Sequence, residues 1–376
     1  MSISWVEGGT TLSARWQSEA GVSAPQRVVV ADDTINADTA YRLACEGTAM
    51  LWRGDFHNAR QLLQAMARRS DQKKSSKKNK QALAPIDLKQ AFNLHRVAQA
   101  QRARVLGMLL IEVDEKYQVR LKRAPDFQQA CLEAYGEFSN PFVVSLRELQ
   151  GLVGAHEWRK KGVPIEALGA SIHPHYGVFS PIRGEYLTLI ANAPLASREL
   201  AFDIGTGTGV IAALLAKRGV KKIIATDQDQ RALACAKENI TRLGYEQQVS
   251  IRQADMFPEG KAPLIVCNPP WLPAKPSSPI EYAVYDPNSS MLMAFLNGLK
   301  NHLTPEGEGW LIMSNFAENL NLRAKDELQN AFNQAGLVVE EKIDITPKHG
   351  KVMDETDRLH QARKAEITSL WRLKAQ

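Results

Sequence analysis

The spacing of apolar residues changes character near residue 199. From there onward, apolar runs of about four to six residues alternate with longer segments whose apolar positions recur at helical spacing. The short runs span residues 200–204, 222–226, 249–253, 264–267 and 310–314, and the helical segments span 210–218, 231–243 and 291–303. Such alternation predicts an α/β fold with a doubly wound, mainly parallel sheet.

Two further strand patterns follow, at residues 337–343 and 367–373. A long polar segment separates them, and it carries no clear helical pattern. A connection without a crossover helix allows neighbouring strands to run antiparallel. We therefore expect the last strand to be antiparallel and to lie at an edge of the sheet.

The first part of the chain has mostly helical spacing, over residues 40–52, 57–69, 88–108, 126–135 and 145–160. Residues 109–113 and 117–121 alternate like a short hairpin. A chain of 376 residues exceeds what one hydrophobic core usually organises. We predict a helix-rich N-terminal domain over residues 1–170 and an α/β domain over residues 171–376.

Charge is unevenly distributed between these two domains. Residues 1–170 contain 24 Lys and Arg against 18 Asp and Glu, whereas residues 171–376 contain 23 of each. The surplus favours a polyanionic partner for the first domain, although it is also compatible with solubility alone. Residues 71–80 carry five lysines and no apolar residue, which predicts either a flexible linker or an arm that contacts phosphates.

Several classes of protein are disfavoured by composition. No run approaches the ~18 apolar residues of a membrane span, and residues 1–16 lack the pattern of a signal peptide, so we expect a cytoplasmic protein without a membrane partner. The four cysteines are scattered, and His173 and His175 have no nearby partners, so we expect no metal site. No pattern predicts an oligomeric state.

A glycine-rich turn joins the first predicted strand of the second domain to its first helix. It reads Asp203-Ile-Gly-Thr-Gly-Thr-Gly-Val210, with Thr206 between Gly205 and Gly207, and Gly209 last. Glycines let the backbone approach a ligand closely, and the helix N-terminus offers unpaired N–H groups. The spacing is G-x-G-x-G, which differs from the G-x-G-x-x-G of dinucleotide-binding proteins.

Two acidic residues follow the next two strands. Asp227 ends the second strand, 22 positions after Gly205, where a carboxylate can accept hydrogen bonds from ribose hydroxyls. Asp255 follows the third strand, where it can reach the edge of a base. Either residue alone would be typical of a solvated loop or a helix cap. Their order after the glycine turn indicates a nucleoside-binding site instead.

The fourth strand runs into Asn268-Pro-Pro-Trp271. With the glycine turn, Asp227 and Asp255, this motif resembles the class I S-adenosylmethionine-dependent methyltransferases of the Asn-Pro-Pro-aromatic branch. That branch includes release-factor glutamine, adenine-N6 and ribosomal guanine-N2 methyltransferases. The resemblance covers residues 171–376 and implies a seven-stranded Rossmann-like sheet and S-adenosyl-L-methionine as cofactor. It also implies that Asp203 lies near the methionine amino group, Asp227 on the ribose and Asp255 on the adenine.

The Asn-Pro-Pro-Trp motif suits chemistry on a poor nucleophile. The nitrogen of an amide or of a base amine is weakly nucleophilic because its lone pair is delocalised. If the Asn268 side-chain oxygen and the Pro269 carbonyl each accept one of its N–H groups, the lone pair is aimed at the methyl group, and the transition state is stabilised. Trp271 would stack on the planar target, where tyrosine or phenylalanine is commoner in this branch.

The segment of residues 172–185 precedes the sheet and is rich in aromatic residues, proline and glycine. Its Gly177-Val-Phe-Ser-Pro181 resembles the loop that covers the cofactor in the same branch. The resemblance implies that Phe179 and Arg183 bind the cofactor as part of a lid. A packed linker between two domains is the alternative.

The favoured function is N-methylation of an exocyclic base amine in nucleic acid, with RNA preferred because of the basic first domain. Methylation of a protein glutamine is the close alternative, because the same acceptor pair fits any planar NH₂ group. A nicotinamide-dependent oxidoreductase is disfavoured by the glycine spacing and by Asn268-Pro-Pro-Trp271. A non-catalytic RNA-binding protein would require a decayed motif, yet each motif residue is chemically competent.

Overall fold

A computed structural model describes residues 1–71, 87–137, 140–276, 279–347, 357 and 359–376, with the side chains of 279 and 280 excepted. The chain forms two compact units, one of Met1–Ile86 with Asn93–Glu157 and the other of Asp87–Phe92 with Trp158–Gln376. The lysine-rich segment lies outside the described residues from position 72 onward. Whether it is a linker or a phosphate-contacting arm stays a prediction.

The first unit is built on a six-stranded sheet with the order β1-β2-β6-β5-β4-β3. Its strands are β1 (Ser2–Glu7), β2 (Thr10–Trp16), β3 (Arg27–Ala31), β4 (Thr48–Trp52), β5 (Leu109–Val113) and β6 (Phe142–Ser145). The helices are α1 (Ala37–Cys45), α2 (Phe56–Asp71), α3 (Leu88–Leu106), α4 (Gln128–Tyr135) and α5 (Leu146–Lys161). The first residues of α3 and the last of α5 belong to the second unit.

Two predictions for the first unit are wrong. The helix predicted over residues 40–52 ends at Cys45, and the chain then forms β4, whose five residues are all buried between β3 and β5. An uninterrupted apolar run has no period of two, so spacing cannot separate it from a buried helix. Residues 117–121 form no strand. There Asp114 accepts hydrogen bonds from the backbone N–H groups of Lys116 and Gln118, and β5 pairs with β4 and β6.

The second unit contains the predicted doubly wound sheet, with seven strands in the order β11-β10-β9-β12-β13-β15-β14. They are β9 (Leu200–Ile204), β10 (Lys222–Asp227), β11 (Val249–Gln253), β12 (Ala262–Cys267), β13 (Leu303–Ser314), β14 (Leu337–Ile345) and β15 (Thr368–Ala375). The first five strands in chain order pair in parallel. A separate hairpin of β7 (Val163–Ile165) and β8 (Ala170–Ile172) precedes them.

The last strand corrects one prediction. β15 is antiparallel, as expected, but it lies between β13 and β14 and pairs with both. Leu370 and Leu373 of β15 are fully buried, whereas β14 is mostly exposed beyond Leu337. The more apolar strand therefore takes the interior position, and β14 forms the edge.

Helices cover both faces of this sheet. They are α6 (Glu185–Asn192), α7 (Val210–Lys217), α8 (Gln230–Arg242), α9 (Ser290–His302), α10 (Phe316–Asn319), α11 (Glu327–Gln334) and α12 (His360–Lys364). One apolar cluster joins α6 and α7 to one face, and another joins α9 and α11 to the other. Helix α11 was not predicted. None of the helices in the described residues has the length and apolar character that crossing a bilayer requires.

Candidate active site

The strand order reverses between β9 and β12. From β9 the chain moves to β10 and β11 on one side, and then crosses to β12 and β13 on the other. Parallel sheets of this kind form a crevice at the carboxyl ends of the two strands that flank the reversal. The residues that end β9, β10 and β12 therefore come to one edge of the sheet, although they are far apart in the chain.

Asp203, near the end of β9, is fully buried. Its Oδ2 accepts hydrogen bonds from Thr206 Oγ1 at 2.6 Å and from the backbone N–H of Ala212 at 3.1 Å. Its Oδ1 has no partner among the described residues. Burial raises the pKa of Asp203 to about 7, the two hydrogen bonds oppose the shift, and nearby Asp227 adds to it. A carboxylate with one unpaired oxygen is thus held at the turn.

The three glycines of the turn have different structural roles. Gly205, Gly207 and Gly209 all have positive φ, at 70°, 55° and 80°, so side chains there would be strained. A Cβ on Gly209 would lie 3.2 Å from the backbone Cα of Ala236, which shows that this glycine allows α7 and α8 to pack closely. A Cβ on Gly207 would meet nothing within 4 Å. Gly207 therefore faces open space that a ligand can fill.

Asp227 ends β10 beside this turn. Its Oδ2 accepts the backbone N–H of Gly207 at 3.0 Å, and its Oδ1 accepts the N–H of Asp229 at 3.0 Å. Burial raises the pKa of Asp227, while the backbone hydrogen bonds partly offset that rise. The backbone N–H of Gln228 also contributes a hydrogen bond. A carboxylate has about four acceptor positions, so Asp227 keeps acceptor capacity for a ribose hydroxyl.

Asp255 follows β11, and its side chain is exposed. The residues after it are anchored, because the Phe257 ring stacks on His302 with centroids 4.3 Å apart. Thr226 Oγ1 also donates to the Met256 carbonyl at 2.7 Å, which ties this loop to the end of β10. The loop of Asp255 is therefore fixed against the strand that carries Asp227.

The Asn-Pro-Pro-Trp turn begins directly after β12. Asn268 is half-buried, Pro269 is buried and Trp271 is half-buried. The indole N–H of Trp271 donates to Asn268 Oδ1 at 3.0 Å. The ring of Trp271 also packs against the apolar clusters of both sheet faces. Spacing predicted the position of this motif but not the hydrogen bond within it.

Arg323 was missed by the sequence analysis and supports this turn from behind. It is only 5% exposed, and its Nη2 donates to the Trp271 carbonyl at 3.5 Å and to Ser289 Oγ at 3.3 Å. Glu318 lies 3.5 Å from its Nη1 and supplies a counter-charge. Arg323 lies between α10 and α11, where no strand or motif marks it, so the sequence offered no signal.

The two predicted lid residues, Phe179 and Arg183, have different surroundings in the structure. Phe179 is 39% exposed. Arg183 lies 3.7 Å from Glu366, a carboxylate that is 1% exposed and accepts a hydrogen bond from Ser314 Oγ at 2.8 Å. Burial raises the pKa of Glu366, and Ser314 and Arg183 oppose that shift. Arg183 is thus tied to the ends of β13 and β15, and its contact with a cofactor stays a prediction.

The two histidines of this segment have protein partners. His173 Nδ1 lies 2.6 Å from the carbonyl of Arg159, and His175 Nε2 lies 2.8 Å from a carboxylate oxygen of Glu238. Over the residues that the structure describes, no group of three or more His, Cys, Asp or Glu is arranged to hold a metal ion.

Comparison with known proteins identifies the domain that carries this site. The family model described as the methyltransferase small domain matches residues 170–344. Residues 170–344 are thus similar to a methyltransferase small domain. The match includes the glycine turn, Asp227, Asp255 and Asn268, and it confirms the resemblance to class I S-adenosylmethionine-dependent methyltransferases.

Curated relatives of this methyltransferase domain fall into more than one group. The chain is similar to the release factor glutamine methyltransferase of Shewanella oneidensis, with 45% identity over 85 residues, covering 22% of this chain and 29% of the relative. It is also similar to the tRNA1(Val) (adenine(37)-N6)-methyltransferase of Bacteroides fragilis, with 29% identity over 166 residues, covering 42% of this chain and 67% of the relative. The ribosomal protein L11 methyltransferase of Exiguobacterium sibiricum is 41% identical over 76 residues, covering 20% and 24%. The chain spans less than two thirds of the length of several relatives, from 24% to 59%.

The residues of the methyltransferase domain fit S-adenosylmethionine. The unpaired Oδ1 of Asp203 can accept a hydrogen bond from an ammonium group, and the open space at Gly207 admits a ligand next to the backbone. Asp227 keeps acceptor capacity for a ribose hydroxyl. Asp203, Gly207 and Asp227 therefore fit this cofactor, and their contacts with it, like that of Asp255, stay a prediction.

Proposed function

We propose that this protein is an S-adenosylmethionine-dependent N-methyltransferase that acts on an exocyclic amine of a nucleic acid base, in RNA. One observation carries the proposal. The half-buried side chain of Asn268 follows β12 at the edge of the sheet that also bears Asp203 and Asp227, with its oxygen fixed as an acceptor by Trp271. A hydrogen-bond acceptor beside a cofactor crevice suits a substrate that offers N–H groups.

Bound S-adenosylmethionine supplies an electrophilic methyl group on a sulfonium sulfur. The protein's own task is to hold the target nitrogen with its lone pair in line with that methyl, at about 3–3.5 Å. Asn268 Oδ1 accepts one N–H of the target and the Pro269 carbonyl accepts the other. No hydrogen bond to that carbonyl occurs within the described residues, so it is available to the substrate. Both acceptors bind more tightly as the nitrogen becomes positive, which lowers the barrier to transfer. The methyl group leaves the sulfonium sulfur as it bonds to the nitrogen, and the resulting cation loses its extra proton to water.

The choice of RNA rests on charge. The surplus of 24 basic over 18 acidic residues lies within positions 1–170, outside the methyltransferase domain. A basic region in the same chain as a neutral catalytic domain favours a substrate with a phosphate backbone. The similarity to tRNA adenine-N6 methyltransferases extends over more of this chain than the similarity to glutamine methyltransferases, which supports the same choice.

Methylation of a protein glutamine is the second candidate. It is favoured by the higher identity to a release factor glutamine methyltransferase, 45% over the matched residues. A carboxamide NH₂ is planar and offers the same two N–H groups as a base amine, so Asn268 and Pro269 serve either substrate. The acceptor pair alone therefore does not discriminate between them.

Isotope transfer distinguishes the two candidates. The purified protein is incubated with methyl-labelled cofactor and, separately, with total RNA and with release-factor peptides, and both are analysed by mass spectrometry. We expect label in one methylated base of the RNA and none in the peptides. Label in methylglutamine alone would overturn the RNA assignment, and label in neither would overturn the proposed methyl acceptor class.

A second experiment tests the role of the basic region in RNA binding. Replacing Lys73, Lys74, Lys77 and Lys78 by Gln removes four positive charges. If these lysines contact phosphates, the dependence of log Kd on log salt concentration becomes shallower by roughly 3 to 4. An unchanged slope would assign the segment to a linker. Replacing Arg42 and Lys342, which are charged positions elsewhere, serves as the control.

A further inference from the structure

The hydrogen bond between Trp271 and Asn268 determines which way the amide of Asn268 points. An indole N–H is a donor and has no acceptor capacity, whereas an amide carries an oxygen acceptor on one side and an NH₂ donor on the other. At 3.0 Å from Trp271 Nε1, the amide must therefore present its oxygen. The opposite orientation would bring two donors together. The chemistry of the pair thus settles an assignment that atomic positions alone leave open.

Trp271 is itself held in place. Its ring packs against residues of both apolar clusters, and its backbone carbonyl accepts a hydrogen bond from Arg323. Arg323 is buried and is held in turn by Ser289 and Glu318. The indole N–H is therefore a donor of fixed position, and the Asn268 amide adapts to it.

We propose that Trp271 is a positioning residue that locks Asn268 Oδ1 as an acceptor and thereby restricts the site to substrates whose reacting nitrogen carries hydrogen. This inference rests on the proposed function and deepens it. An sp² oxygen has two lone pairs, so Oδ1 can accept from Trp271 and from the substrate at once. Without the indole N–H, the amide can turn its NH₂ toward the target nitrogen, which repels the N–H groups of the substrate.

The test removes the indole N–H and keeps the aromatic ring. Trp271→Phe loses the donor, and replacement of Trp271 by benzothienylalanine, in which sulfur takes the place of the N–H, also keeps the size of the ring. A neutral hydrogen bond of this kind is worth about a tenfold change in rate. We expect kcat to fall about tenfold in both variants, with the affinity for S-adenosylhomocysteine unchanged within about twofold.

Trp310→Phe is the matched control. Trp310 is fully buried in β13 of the same sheet, and its indole N–H donates to Glu308 Oε2 at 3.1 Å. This change also removes one indole hydrogen bond, but not one to Asn268, so we expect lower thermal stability with kcat retained. A fall in kcat for Trp310→Phe equal to that of the Trp271 variants would assign the effect to the loss of packing and overturn the proposal.

The hydrogen bond can also be observed without a methyl acceptor, so this inference and the proposed function fail separately. In ¹⁵N-labelled protein, the Nε1–H resonance of Trp271, assigned through Trp271→Phe, should shift upfield and exchange faster with solvent in Asn268→Ala. An unchanged resonance would overturn the positioning role even if methylation is found. A shifted resonance with unchanged kcat in the benzothienylalanine protein would also overturn it.

Discussion

Asp203 offers a prediction that links burial, pH and function. Its carboxyl group is fully buried, with one oxygen unpaired, and its pKa is raised to about 7 from an ordinary 3.8. Between these two values the folded protein binds one more proton than the unfolded chain. The free energy of unfolding therefore falls as the pH rises from about 4 to about 7, and the contribution of Asp203 is level above that. The difference of about three pH units corresponds to roughly 4 kcal/mol at about 1.4 kcal/mol per unit.

Asp203→Asn removes this titration and keeps the shape of the side chain. The amide oxygen can still accept from Thr206 and Ala212, and the NH₂ replaces the unpaired oxygen. We expect the variant to match the natural protein in stability near pH 4 and to exceed it by up to about 4 kcal/mol at pH 8. We also expect weaker binding of S-adenosylhomocysteine, because the unpaired acceptor has been replaced by a donor.

The measurement is urea unfolding at pH 5, 6, 7 and 8. Unfolding is monitored through hydrogen exchange of peptides that contain β9, so that the signal reports the second unit by itself. Asp255→Asn is the control, because it removes an exposed carboxyl group of the same unit and leaves the buried one in place. If the unfolding free energies of Asp203→Asn and the natural protein run parallel across this pH range, the buried carboxyl group is not the source of the pH dependence, and the reasoning is wrong.

Three further predictions concern the crevice. Asn268→Ala should reduce kcat by at least about a hundredfold while leaving S-adenosylhomocysteine affinity nearly unchanged in calorimetry, because in the proposed mechanism the amide binds the substrate. Equal losses of both would mean that the residue is misplaced. Asp227→Ala should show the reverse pattern, with weaker cofactor binding and residual turnover at saturation, and kinetics at varied cofactor concentration separate the two cases. Gly207→Ala should weaken cofactor binding and lower stability by about 1 kcal/mol, whereas Gly209→Ala should destabilise the fold more, because its Cβ would lie 3.2 Å from Ala236. Thermal unfolding with and without ligand tests this pair, and identical behaviour of the two variants would contradict the prediction.

The sequence by itself determined the class of the second unit and the order of its site residues. Alternating apolar runs and helical segments depend on neighbours a few positions apart, and that local pattern was enough to predict the parallel strands β9 to β13. The glycine turn and Asn268 each follow a strand directly, and Asp227 is the last residue of one. Their convergence at one sheet edge therefore followed from the geometry of parallel strands.

Only the tertiary structure decided the features that depend on contacts between distant parts of the chain. β15 lies between β13 and β14 because it buries more apolar surface than β14 does. The sequence of β4 was predicted to be helical because a strand buried on both faces shows no alternation of apolar and polar residues. The support of Trp271 by Arg323 joins residues 52 positions apart. The burial that raises the pKa of Asp203 is likewise a property of the packed protein, because it arises from everything that surrounds the residue and not from its sequence neighbours.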